Sequence, residues 1–214
     1  MTIRAVFFDI GETLINETRV WSLLADWLGV PRMTMFGVLG GLIAEGRDHR
    51  ELFDIVRPDI GWKGVAAKFK NEVGDGFLYE DLYPDVVPCL KTLKNLGYFV
   101  GIAGNQPARQ EEHLRAMNLP TDLIATSGGW GIKKPDPGFF EKLVDQVSFK
   151  ADEIVYVGDR VDNDVVPAAI AGLLPVHLVR GPWGYLHRNR SDVKRAKAQL
   201  SALDELPPVL ERLS

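Results

Sequence analysis

The chain has 214 residues, a formal net charge of −4, and 46% hydrophobic and 25% charged residues. That is the profile of a soluble globular protein with one large domain, or a core plus a smaller insert. The acidic balance gives no electrostatic reason to bind nucleic acid or an anionic membrane surface, and the single cysteine, Cys89, excludes an internal disulfide. Such cysteine usage fits a reducing cytoplasm, and no secretory leader pattern is visible at the N-terminus. The most apolar stretch of the first half, Met33–Ala44, is too short to span a bilayer.

The first element is the run Ala5-Val6-Phe7-Phe8-Asp9. Continuous Val and Phe predict a strand buried on both faces, ending in a carboxylate. Helical spacing of apolar residues follows over Thr18–Leu28, stopped by Gly29 and Pro31, then over Met33–Ala44, His49–Val56 and Val65–Val73. Trp21, Trp27, Met33, Met35 and Phe36 are expected mostly in the core of this bundle.

From Pro84 onward, helices and strands alternate. The pattern predicts a helix over Asp85–Leu96, a strand over Tyr98–Ala103, a helix over Gln106–Met117 and a short strand over Leu123–Thr126. A helix over Pro137–Val147 with Asp136 as its cap follows. Next come a strand over Ile154–Gly158, a helix over Asp162–Ala171, a strand over Val176–Val179 and a closing helix over Asp204–Leu213. This alternation implies a parallel, doubly wound sheet. The second strand starts roughly ninety residues after the first, where a βα connection is normally a few residues plus one helix. The helical segment is therefore an insert, with residues 1–15 and 80–214 forming the core and 16–79 a helical bundle over the site as a lid.

Four chemistry-bearing elements fall at the carboxyl ends of the main strands, where ligands bind in open α/β sheets. They are Asp9, then Gly104-Asn105, then the loop Gly131–Pro137 with Lys133 and Lys134, then Gly158-Asp159 through Asp164. In the strand order 3-2-1-4-5, strands 1 and 4 are neighbours, and Asp9 lies beside Asp159. Clustered carboxylates repel one another, and a hard cation such as Mg²⁺ removes the conflict. A lysine beside them supplies positive charge for a phosphoryl group, and a carboxylate can serve as a nucleophile. No Gly-x-Ser-x-Gly elbow, Walker loop or Gly-x-Gly-x-x-Gly fingerprint is present, which argues against a serine hydrolase, a P-loop enzyme and a dinucleotide enzyme.

These elements, in this order, resemble the haloacid dehalogenase-like (HAD) hydrolase superfamily. FFDIGETL resembles its first motif, Gly104-Asn105 the end of its second, GIKKPDPGFF its third and VGDRVDND its fourth. The resemblance covers the whole chain. It implies a Rossmann-like doubly wound parallel sheet core with an inserted helical-bundle cap of the C1 type. By it, Asp9 is the nucleophile that becomes phosphorylated, and Lys134 neutralises the phosphate and Asp9. Asp9, Asp159, Asp164 and the backbone carbonyl of Gly11 hold Mg²⁺. Gly104, Asn105 and Lys134 meet the substrate.

Two positions depart from the family pattern. Gly11 stands where an aspartate acid/base is usual, and Gly104 where Ser or Thr holds the phosphate. Loss of a positioned acid costs about 10²–10⁴-fold in rate. A good leaving group, a water or Glu12 can partly compensate, with Glu12 read first as a solvated turn residue and second as a substitute acid. The expected activity is Mg²⁺-dependent hydrolysis of a small phosphorylated metabolite in the cytoplasm, with neither nucleic acid nor membrane as partner. The alternatives are a 2-haloacid dehalogenase, in which the aspartate forms an ester with carbon without a metal, and a HAD-fold protein that binds a ligand or partner without turnover.

Overall fold

The computed structural model of the protein describes residues 2–72 and 76–214. The chain divides into two compact units, residues 1–16 with 78–214, and Glu17–Phe77. The larger unit is built on six strands, β1 (Ala5–Phe8), β2 (Phe99–Gly104), β3 (Leu123–Thr126), β4 (Ile154–Gly158), β5 (Leu174–Leu178) and β6 (Ala198–Leu200). All neighbours pair in parallel, in the order β3-β2-β1-β4-β5-β6. The central pair β1 and β4 is in register from Ala5 against Ile154 to Phe8 against Val157, and the Asp9 N–H extends this ladder to the Val157 carbonyl at 2.9 Å. The expected neighbourhood of the two strand ends is therefore the one observed.

Helices α5 (Val86–Asn95), α6 (Arg109–Ala116), α7 (Ser127–Trp130), α8 (Pro137–Asp145), α9 (Val166–Ile170), α10 (Gly181–His187) and α11 (Leu206–Leu213) flank the strands. Asp136 caps α8 as expected, its carboxylate accepting from the Gly138 N–H at 2.9 Å. One part of the core is a fully buried cluster of Phe7, Ala103, Phe139, Phe140, Leu143, Ile154 and Tyr156, so both sheet and helix faces are apolar there. Cys89 is buried in α5, and burial pushes its thiol up to about 12, as suits a small core residue.

Three features differ from the sequence expectation. The helix expected over Asp162–Ala171 begins as a π-helical turn over Val161–Val165 and becomes α-helical only from Val166. Pro167 has no N–H to donate, and the N–H groups of Asp164 and Val165 both turn back to the Arg160 carbonyl, at 2.8 and 3.2 Å. Strand β6 is only Ala-Gln-Leu, too short to show alternation, and pairs in parallel with β5. The short helices α7 and α10 are likewise too brief to carry a period.

The smaller unit contains α1 (Thr18–Leu28), α2 (Arg32–Ala44), α3 (Glu51–Val56) and α4 (Gly61–Glu72). Gly29 ends α1 with φ at +67°, the left-handed geometry that a glycine adopts without steric cost. Aromatic packing ties the helices: Trp21 stacks on Phe53 with ring centres 6.4 Å apart, Phe53 meets Trp62 at 5.2 Å, and Trp27 meets Phe69 edge-on at 5.6 Å. Met35 is fully buried, but Met33 is 88% exposed and Phe36 also faces solvent, so those two are not core residues. Helix α2 is apolar on every side, and periodicity cannot choose a face in such a segment. Val73, the expected end of the fourth helix, lies outside the described residues. Among the described residues, no single helix is long and apolar enough to cross a membrane.

Candidate active site

The site is assembled at the carboxyl ends of β1, β2 and β4. Asp9 follows β1, Asp159 follows β4, and Asp164 comes from the π-helical turn. One carboxylate oxygen from each of the three lies within 4.8 Å of the others, and all three residues are buried. Lys134, from the segment between α7 and α8, is 3% exposed. Its ammonium donates to Asp9 Oδ1 at 2.6 Å and to Asp164 Oδ1 at 2.5 Å. Lys133, its neighbour, is exposed, which settles which of the two lysines enters the cluster.

Two glycines make this packing possible. A β-carbon on Gly104 would stand 2.5 Å from Asp9 Oδ1, and one on Gly158 would stand 2.4 Å from Asp164 Oδ2. Each acidic side chain lies across a strand end that carries no side chain of its own. Gly104 is thus the floor beneath Asp9. A Gly104→Ser substitution, which restores the family's usual hydroxyl, should displace Asp9 from Lys134. The expected result is a loss of turnover of about 10²-fold rather than a gain. A rate equal to or above the unsubstituted protein in a kcat measurement would contradict this.

The electrostatics follow from burial. Three carboxylates face one ammonium. Burial pushes the carboxyl of Asp159 well above its ordinary range, and the Asp164 and Asp9 charges push it the same way. The Asp164 carboxyl is raised to about 6, burial again outweighing the stabilising effect of Lys134. Burial by itself would lower the Lys134 ammonium, but Asp164 and Asp9 reverse that and hold it well above its usual value. Asp164 is satisfied on both oxygens, Oδ2 accepting from the Arg160 N–H at 2.9 Å. Asp159 Oδ2 is buried and has no hydrogen-bond partner. An orphaned, buried carboxylate oxygen beside two further carboxylates fits a hard divalent cation, which takes oxygen ligands and cancels the repulsion. Behind it, the Asp159 carbonyl pairs with His177 Nε2 at 2.9 Å, and burial lowers the His177 ring below its usual value.

The remaining predicted residues are placed as follows. Gly11 sits in a tight loop, bridged to Ile15, two residues past Asp9. Asn105 engages the backbone of Lys134 rather than open space: its Nδ2 donates to the Lys134 carbonyl and its Oδ1 accepts from the Lys134 N–H, both at 2.8 Å. Glu12 is not solvated. It is 7% exposed, adopts φ of +53°, and accepts from the Tyr83 hydroxyl at 2.6 Å while lying against Gly181. Glu12 lies in a turn as expected, but it is not solvated, because Tyr83 and Gly181, remote in sequence, cover the side chain. Burial raises the Tyr83 phenol, and the Arg180 guanidinium stacks 4.2 Å from the Tyr83 ring centre. Arg180 also donates to the Thr13 carbonyl at 3.0 Å and pairs with Asp85. Sequence reasoning missed Tyr156, whose hydroxyl accepts from Lys134 Nζ at 2.9 Å.

A buried carboxylate trio with a lysine at the switch point of a parallel α/β sheet can hold a cation and present an anionic oxygen beside it. The profile of the haloacid dehalogenase-like hydrolases matches residues 3–172. The chain belongs to that family, and is a HAD-like hydrolase. A glyceraldehyde 3-phosphate phosphatase of Methanopyrus kandleri is 28% identical over 211 residues, covering 89% of this chain and 91% of that protein. The sesquiterpene phosphatase astK of Aspergillus oryzae is 33% identical over 193 residues, covering 83% and 90%. Among solved structures, the magnesium-bound HAD hydrolase YfnB of Bacillus subtilis superposes with a TM-score of 0.74 at 18% identity, covering 98% of this chain and 99% of that one. That likeness establishes the fold.

Proposed function

We propose that the protein is a Mg²⁺-dependent phosphatase that hydrolyses a small phosphorylated metabolite through an aspartyl-phosphate on Asp9. The carrying observation is the buried trio Asp9, Asp159 and Asp164, bound on one side by Lys134 and left with an unpartnered oxygen on Asp159. The similar glyceraldehyde 3-phosphate and sesquiterpene phosphatases support the reaction class, since their printed substrates differ and the phosphoester is what they share.

In this reading Asp9, Asp159, Asp164 and the Gly11 carbonyl hold Mg²⁺. When bound, Mg²⁺ supplies charge neutralisation and polarises a phosphoryl oxygen. Asp9 attacks phosphorus with the oxygen that Lys134 does not hold. A new O–P bond forms as the ester O–P bond breaks, and the leaving alkoxide takes its proton from water. Water then attacks the aspartyl-phosphate, releasing inorganic phosphate and restoring the Asp9 carboxylate. Lys134 offsets negative charge in both steps, and Asn105 holds the lysine backbone. The helical unit inserted between β1 and β2 serves as the cap, and a cap suits a small substrate.

Metal removal tests this reading. Turnover of p-nitrophenyl phosphate should require Mg²⁺ and vanish with EDTA. Metal-independent chloride release from a 2-haloacid, without phosphate-ester turnover, would sink it. The acidity of the cluster predicts a second signature. The Asp159 and Asp164 carboxyls are raised in the folded protein. The stability that these two carboxyls contribute to the metal-free protein is therefore full below the ordinary carboxyl range and is lost as pH rises through their raised values, about 6 for Asp164. Mg²⁺ competes with those protons. Its thermal shift should be larger at about pH 8 than at about pH 5, and an equal shift at both would contradict the assignment.

A further inference from the structure

A lysine ammonium has three N–H donors. In Lys134 each is paired: with Asp9 Oδ1 at 2.6 Å, Asp164 Oδ1 at 2.5 Å and Tyr156 Oη at 2.9 Å. Two of these acceptors belong to the carboxylate trio. The third is a strand residue of β4, facing the core.

Building on the phosphatase reading, we propose that Tyr156 is a positioning residue: its hydroxyl is the third anchor of the Lys134 ammonium, and through it decides which Asp9 oxygen is tied and which is left to attack. The hydroxyl has a single hydrogen, and it donates that hydrogen to the Ala103 carbonyl on β2 at 2.7 Å. It therefore meets Lys134 only as an acceptor, with a lone pair fixed by the direction of the Ala103 bond. Burial raises the phenol well above its usual value, so the hydrogen stays on the oxygen. The ring is immobilised by an edge-on contact with Phe140 at 5.1 Å and is fully buried. At the other end of the lysine, Asn105 clamps the backbone through two reciprocal bonds of 2.8 Å. Lys134 is thus held at its root and at its tip by neutral groups, one just past the end of β2 and one in β4, independently of the aspartates it serves. Without the Tyr156 oxygen the ammonium rests on the two carboxylates alone, and Asp9 loses its fixed rotation.

Tyr156→Phe removes one oxygen and keeps the ring, the strand and the Phe140 contact. Its kcat for p-nitrophenyl phosphate should fall by about 10- to 100-fold, with KM within about twofold of the unsubstituted protein. A tyrosine that merely fills the core would lower the melting temperature and leave kcat alone. A direct readout is the ¹H–¹⁵N spectrum of lysine side-chain ammonium groups. Lys134 should give a slowly exchanging signal, absent from Lys134→Met and displaced in Tyr156→Phe. A folded Tyr156→Phe protein with unchanged kcat overturns the proposal. So does the lack of any protected Lys134 ammonium signal in the unsubstituted protein, a result that does not depend on the variant folding. If the unsubstituted protein turns over no phosphate ester, the phosphatase reading fails, and the ammonium spectra alone then judge the anchoring by Tyr156.

Discussion

An Asp9→Asn protein should fold normally and hydrolyse p-nitrophenyl phosphate on the order of 10⁴- to 10⁶-fold more slowly than the unsubstituted chain. An amide oxygen still accepts from Lys134, so the hydrogen bond at 2.6 Å has a successor. What is lost is the anionic oxygen that attacks phosphorus. One charge also leaves a crowded trio, so the melting temperature should hold steady or rise. Steady-state kinetics beside a thermal melt separate the two effects. A variant that keeps activity within about tenfold would remove Asp9 from the role of nucleophile.

Lys134→Met should produce the largest combined loss. Methionine fills similar volume but leaves the Asp9 and Asp164 carboxylates facing each other without their cation. Breaking a buried pair by removing one partner costs about 3–5 kcal/mol. For a chain of this size that corresponds to a melting temperature lower by roughly 10 °C, and catalysis should disappear with it. The penalty depends on pH in a definite direction. Deprived of the lysine that holds it down, the Asp164 carboxyl is raised further and stays protonated to higher pH. The variant is therefore closest to the parent at about pH 5 and furthest from it at about pH 8. Added Mg²⁺ should recover part of the lost stability at the higher pH. A melting temperature unchanged by the substitution would mean that the ion pairs contribute nothing.

The fold was largely legible because its signals are local. The apolar run into Asp9, the Leu123–Thr126 and Ile154–Gly158 strands, and α1 over Thr18–Leu28 all carry their periodicity within a few residues. Asp9 and Asp159 were legible because a charged residue directly after a buried strand has few structural reasons to be there, whereas Lys134 and Asp164, further along their loops, were legible through the resemblance of GIKKPDPGFF and VGDRVDND to family motifs. Tyr156 was not. Inside Ile-Val-Tyr-Val a tyrosine reads as one more large strand residue, and only the approach of Lys134 from a different segment gives its oxygen a task. The motif resemblance and its amide donors place Asn105 against the substrate. The structure turns it onto the Lys134 backbone. Glu12 depended on tertiary cover from Tyr83 and Gly181, which no local pattern announces.

The place of the Asp9 carboxylate over Gly104 also ties the design of one position to the other. A β-carbon at 104 would stand 2.5 Å from Asp9 Oδ1 and 3.0 Å from Ile10 Cγ1, so a larger residue there needs the carboxylate to turn away from its present place beside Lys134. Placing Ser or Thr at 104 alone is therefore a poor route to a faster enzyme, and position 104 is best exchanged together with the residues that carry and flank Asp9.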